Sequence, residues 1–154
     1  MKPGHAEAQS MFLEMGRSLG FSTRLTWSRQ LPTDGVWLSP ADEYVLPELP
    51  AVALEVAVSE GPKAIKGSID TLAEVSPALG VLVVNDVEIR RSAIRKGTAP
   101  EAIERRIRDR IESARDRTGR HQQRFQVWDY AELANRHRLI VGGALAHPLG
   151  RQAA

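Results

Sequence analysis

One strand–helix–strand succession restricts this chain more than any other feature. Val52 to Val58 is a run of strand-forming apolar residues broken by a single acid, Glu55. Val81 to Val84 is wholly apolar and reads as a buried central strand. Between them, Gly61-Pro62 opens a helix, with Pro62 suited to its first position. Its apolar stripe is Ile65, Ile69, Leu72 and Ala73, and Pro77 and Gly80 end it. Strand, helix and strand in that order imply a right-handed crossover between parallel neighbours. The fold is then built on a sheet covered on both faces.

The segments before and after extend this frame. Ala8, Met11, Phe12, Met15 and Leu19 recur at helical spacing and predict a helix over residues 6–19, stopped at Gly20. Ser22 to Arg29 alternates and predicts a half-buried strand. Leu31-Pro32-Thr33 turns into a second strand over Asp34–Ser39. Residues 40–50 form a Pro-rich acidic loop before the Val52–Val58 strand. Three strands joined this closely form an antiparallel meander. Downstream, Thr98-Ala99-Pro100-Glu101 matches a capping box, opening a helix to about Arg117 with the thin stripe Ile103, Ile107, Ile111 and Ala114. Phe125–Trp128 is a short strand, Ala131–Arg138 a helix, Leu139–Val141 an apolar stretch, and residues 142–154 a loose C-terminal tail. The expected fold is α/β, a mixed central sheet flanked by helices. It forms a single domain over residues 1–154, with its core at about 6–141.

Composition narrows the function. At 154 residues, 42% hydrophobic and 26% charged, the chain fits one globular domain with a real core. Its apolar runs are too short to span a membrane. No cysteine is present, which removes disulfides, zinc–thiolate sites and thiol catalysis. With an N-terminus lacking an apolar signal region, this points to the cytoplasm. There is no GxSxG motif and no phosphate-binding glycine loop, and the histidines at 5, 121, 137 and 147 lack HExxH spacing. Charge is unevenly placed. Residues 90–124 hold twelve Lys/Arg and five acids, a net +7 against −5 for the rest of the chain. Such a block points to a polyanion, nucleic acid first. It also fits a solvated helix laced with ion pairs such as Glu101/Arg105 and Glu104/Arg108.

Glu55 is the chemically informative residue, because a carboxylate in a sheet is costly unless paired. Asp34 lies 21 positions upstream, on a neighbouring extended segment. Two such acids can face each other across a hairpin, which suits a hard divalent cation. They also fit solvated strand ends. Glu7 and Glu14, seven apart, share one edge of the first helix.

Element order and acid placement together resemble the PD-(D/E)XK phosphodiesterases, the restriction-endonuclease-like superfamily, over about residues 6–130. The resemblance implies an α-β-β-β-α-β-α-β core. Asp34 matches the first acid of the motif and Glu55 the second, with Glu14 or Glu7 matching the acid of the first helix. It implies Mg2+ or Mn2+ held by Asp34, Glu55 and the carbonyl of Val56 or Ala57, and hydrolysis of DNA in restriction, defence or repair. The usual lysine, glutamate or glutamine two residues after the second acid is replaced by Ala57. Lys66, or less favourably Lys63, is the candidate migrated amine. Arg105, Arg108, Arg115 and Lys63 would track the phosphate backbone. A homodimer or partner protein is compatible with this reading. The alternative implied by Ala57 is a module of the same fold that has lost catalysis and binds nucleic acid or a partner protein.

Overall fold

The computed structural model describes residues 3–40, 47–58 and 61–143. The centre of the acidic loop and most of the expected C-terminal tail lie outside the described residues. The elements in chain order are α1 (Pro3–Ser18), β1 (Ser22–Arg24), β2 (Gly35–Leu38), β3 (Pro50–Ala57), α2 (Pro62–Val75), β4 (Leu79–Val84), α3 (Asp86–Arg95), α4 (Pro100–Thr118), β5 (Phe125–Asp129) and α5 (Tyr130–Val141).

The strands form one open five-stranded sheet in the order β1-β2-β3-β4-β5. β1, β2 and β3 are antiparallel neighbours, and β3, β4 and β5 are parallel. The meander and the parallel crossover read from the sequence are both present. Side-chain alternation divides the core in two. Leu82 and Val84 of β4 join Ala53 and Ala57 of β3 in a cluster closed by Ile65, Ile69 and Leu72 of α2 and Ile103 and Ile107 of α4. Val81 and Val83 join Leu54 and Val56 under Phe12 and Met15 of α1 and Leu133 of α5. Each fully buried aliphatic or aromatic side chain stabilises the fold by about 1.5–3 kcal/mol.

Four local features depart from the sequence reading, each for a definable reason. The alternating run after Arg24 does not continue β1. The Thr33 hydroxyl accepts from Trp27 N and donates to Leu25 O, while Leu31 N bonds the Ser28 hydroxyl, so local side-chain bonds replace the ladder. Residues 86–95, unassigned from the sequence, form α3. The Asn85 side chain accepts from Glu88 N, and Asp86 and Glu88 sit at the positive end of that helix. The capping box expected at Thr98 is not made, because Ala99 is the N-cap of α4 and Pro100 its first residue. The box occurs instead at the start of α5, where Asp129 and Glu132 each accept the other's backbone N–H. Leu139–Val141 simply continues α5. Among the described residues no helix is long and apolar enough to cross a membrane.

α1 meets the sheet closely at one point. A Cβ on Gly16 would lie 2.6 Å from the Trp37 ring and 2.8 Å from the Thr23 methyl. Trp37 cannot retreat, since its Nε1 donates to Phe12 O at 2.8 Å and its ring stacks between Phe12 and Phe21. Gly16→Ala is therefore expected to lower unfolding free energy by roughly 1–3 kcal/mol. Urea denaturation followed by tryptophan fluorescence measures it, and an unchanged midpoint would contradict this packing.

Candidate functional site

Asp34 stands one residue before β2, where the ladder with β3 ends. Gly35 pairs with Leu54, so the next position sets Asp34 opposite Glu55. Asp34 N donates to Leu54 O at 2.9 Å, and Val56 N donates to Asp34 Oδ2 at 2.8 Å. The carboxylate thus takes the place of a ladder carbonyl. Its Oδ1 accepts from Gln9 Nε2 at 3.3 Å and lies 3.0 Å from His5 Nε2, both on α1. Asp34 therefore joins β2, β3 and α1. Glu55 is half-buried, and its parity places it on the face of Ala53 and Ala57, toward α2 and α4. Asp34 lies just past the last rung, Gly35–Leu54, and α1 holds its carboxylate from the other face. Among the described residues no three His, Asp or Glu side chains are grouped to hold a metal ion.

The other proposed catalytic groups are drawn elsewhere. α2 must return from the end of β3 to the start of β4, so each turn carries its residues further from Asp34. Lys66 Nζ pairs with Asp70, one turn further along, and its side chain is 59% exposed. It borders a shallow depression with Arg117, Arg120 and His121. Lys63 is exposed and forms no ion pair with the described residues. Ala57 is packed into the cluster under α2 and α4. Glu14 meets His137 of α5 at 2.6 Å, and that hydrogen bond holds its carboxyl below the ordinary range. Glu7 lies beside the Tyr130 hydroxyl, whose pKa is pushed up to about 12, first by burial and then by that carboxylate. Both acids of α1 thus belong to the seam with α5. Gln9 and His5 are the α1 residues that reach Asp34, and Glu14 projects about 140° away from Gln9 around the helix. Their i, i+4 spacing was the available signal, since it places both side chains on one face.

The basic segment forms α4, with Ile103, Ile107, Ala114 and Thr118 turned inward. The intrahelical pairs that would neutralise it are largely absent. Glu104 reaches across to Arg90 of α3, at 2.7 and 3.0 Å, rather than to Arg108. Arg90 also binds Asp86, which accepts from Tyr130 N at 3.0 Å. Asp116 pairs with Arg120 at 2.7 Å beyond the helix end. Arg105, Arg106, Arg108, Arg115 and Arg117 form no ion pair with the described residues. Two hollows lie between α2 and α4. One of about 490 Å³ is bordered by Pro62, Ile65, Arg105 and Arg106, and one of about 140 Å³ by Lys66, Arg117 and Arg120.

Comparison with known proteins yields no match to a family model, a curated protein or a solved structure.

Asp34→Ala would strip Val56 N, Gln9 and His5 of their shared acceptor in a part-buried setting. It should cost about 1–3 kcal/mol of stability, measurable by urea denaturation. Full stability in this variant would mean the bridge is dispensable. A second check concerns the α1–α5 seam. A phenol whose folded pKa is raised contributes stability that is complete below its unfolded value and lost as pH rises toward 12. In a Tyr44→Phe background, alkaline absorbance titration should show Glu7→Gln moving the Tyr130 midpoint down. It should stay above the ordinary tyrosine value, because burial is the larger cause. An unmoved midpoint would show that Glu7 does not act on the hydroxyl.

Proposed function

We propose that the chain is a nucleic-acid-binding module of restriction-endonuclease-like build that has lost hydrolysis and grips the phosphate backbone of DNA along α2 and α4. The observation that carries this reading is the set of arginines on α4 that form no ion pair with the described residues, of which Arg105 and Arg106 border one hollow beside α2 and Arg117, with Lys66, borders the other. Guanidinium groups left unpaired beside a groove favour phosphate oxygens and displace condensed counterions from a duplex. No base-reading device is needed for such contacts. Loss of hydrolysis is supported by Ala57, by Lys66 being turned to Asp70, and by the commitment of Asp34 to three donors.

A second reading keeps the hydrolytic activity. The position of Asp34 opposite Glu55, just past the last rung, favours it, as does the order of α1, the meander, α2 and β4. In that reading Asp34, Glu55 and the main chain of Val56 hold Mg2+ or Mn2+, which polarises a phosphate and lowers the pKa of the attacking water. Gln9 and His5 would have to release Asp34 for the cation. Glu14, tied to His137, takes no part.

Binding of the full chain to a duplex oligonucleotide across a salt series tests the first reading. Replacing Arg105, Arg108 and Arg115 by Gln should weaken binding for all sequences alike. It should also flatten the log–log salt slope, by about 0.9 for each phosphate that the protein ceases to neutralise. An unchanged slope would refute the assignment to α4. Cleavage of supercoiled plasmid in Mg2+ or Mn2+, abolished by Glu55→Gln, would replace it by the second reading.

A further inference from the structure

The two edges of the sheet differ. β1 is three residues long, and its Arg24 is engaged by Glu48. β5 is five residues long and pairs with β4 alone. Gly80 N donates to Arg124 O, and Gly80 is the register partner of Phe125. In a parallel ladder this phase turns the main chain of residues 124, 126 and 128 toward β4. Phe125 and Val127 must then present their N–H and C=O outward, where the described residues offer them no partner. Asp129 N, the next outward donor, is taken by Glu132. The open rungs are thus two residues of strand, ending at a helix cap.

This edge opens onto a hollow of about 960 Å³. Phe125, Val52 and Leu79 supply apolar surface. Cations stand on both sides of the edge strand: Arg115 from α4, Arg124 before β5, and Arg136 from α5, whose guanidinium lies 4.5 Å above the Trp128 ring. Arg115 and Arg124 form no ion pair with the described residues. The one acid bordering the hollow, Glu132, is committed to Asp129 N. Gln123 adds an independent sign. Its Nε2 bonds Ala73 O and the Ser76 hydroxyl, while its Oε1 is buried with no donor. Gln123 also lines this hollow.

We infer that β5 is a docking edge for an extended acidic peptide, which adds to the sheet as a sixth strand. Its main chain would complete the rungs of Phe125 and Val127. Side chains of an added strand alternate between the two faces. Carboxylates on one face meet Arg115, and those on the other meet Arg136. A second copy of β5 is disfavoured, because Phe125-Gln126-Val127-Trp128 carries no carboxylate to answer Arg115, Arg124 and Arg136. A nucleic-acid strand would satisfy the arginines and leave the outward N–H and C=O rungs unused, so a peptide fits more of the edge. This surface adjoins the α2–α4 hollows, sharing His121 with one of them, and Arg115 belongs to both assignments; the outward rungs of Phe125 and Val127 belong to this edge alone.

The test uses the full chain labelled with 15N and a capped eight-residue peptide repeating Glu-Glu-Val-Val, which places carboxylates on both faces of an added strand. Peptide should shift the amide resonances of Phe125 and Val127. A fully N-methylated peptide of the same charge, unable to form a ladder, should bind about tenfold or more weakly. Arg124→Glu should weaken the unmodified peptide by about tenfold and make its binding less sensitive to salt. Val127→Pro removes an outward N–H without removing a bond to β4, and should weaken peptide while the fold is retained. Should that variant fail to fold, the N-methylated peptide carries the same comparison. Equal affinity for the N-methylated peptide would overturn the inference. So would no shift at Phe125 and Val127 at millimolar peptide, or an oligothymidylate that shifts these amides when the peptide does not.

Discussion

The complete burial of β4 governs the rest of the molecule. Val81, Leu82, Val83 and Val84 are each fully removed from solvent, and neighbouring strands flank them on both sides. A strand without a polar side chain must be roofed on both faces. α2 and α4 close one face and α1 and α5 the other, so the two apolar clusters are opposite sides of one sheet. The parallel pairing of β3, β4 and β5 follows from the same demand, since a crossover helix is what reaches the next parallel strand. Polar chemistry is thereby expelled to the strand ends, the outer helix faces and the sheet edges.

Asp34 shows what that expulsion does to a carboxylate. At the end of β2 it can accept from β3 in the sheet plane and from α1 at the same time. Three donors on one anion compensate its partial burial. The same donors occupy the lone pairs a cation would use. Ala57, two residues past Glu55, gives its side chain to packing. A position that would serve an active site therefore serves the joint between the first helix and the central strands.

The skeleton was readable from the chain because its signals are periodic. Val52–Val58, the Ile65/Ile69/Leu72 stripe and Val81–Val84 each match one template, and each forms the element it indicates. The strand read over Ser22–Arg29 shows the limit, since alternation cannot reveal that Thr33 will bond the backbone at Leu25 and Trp27. α3 was invisible for a related reason. It is ten residues long, and two of its buried side chains are acids, Asp86 and Glu88, held by Arg90 and Arg91. Buried ion pairs imitate a surface sequence. For the site, the approach of Asp34 to β3 was legible from hairpin geometry, but its hold by Gln9 and His5 of α1 was not. Nor was the partner of Glu14, because His137 is 123 residues away and only the tertiary fold brings them together, whereas Lys66 and Asp70 stand four residues apart on one helix face.

The diversion of Glu104 to Arg90 has a consequence for how the surface of α4 responds to its medium. A carboxylate within the helix would make its charge adjustable by acid, since protonation would unmask a neighbouring arginine. With Glu104 hydrogen-bonded to α3, none of Arg105, Arg106, Arg108, Arg115 and Arg117 forms an ion pair with the described residues. Guanidinium itself does not deprotonate in the range where proteins fold. The arginines' share of the field above α4 is therefore constant through the neutral range and yields to ionic strength, fading over the roughly 8 Å screening length of physiological salt.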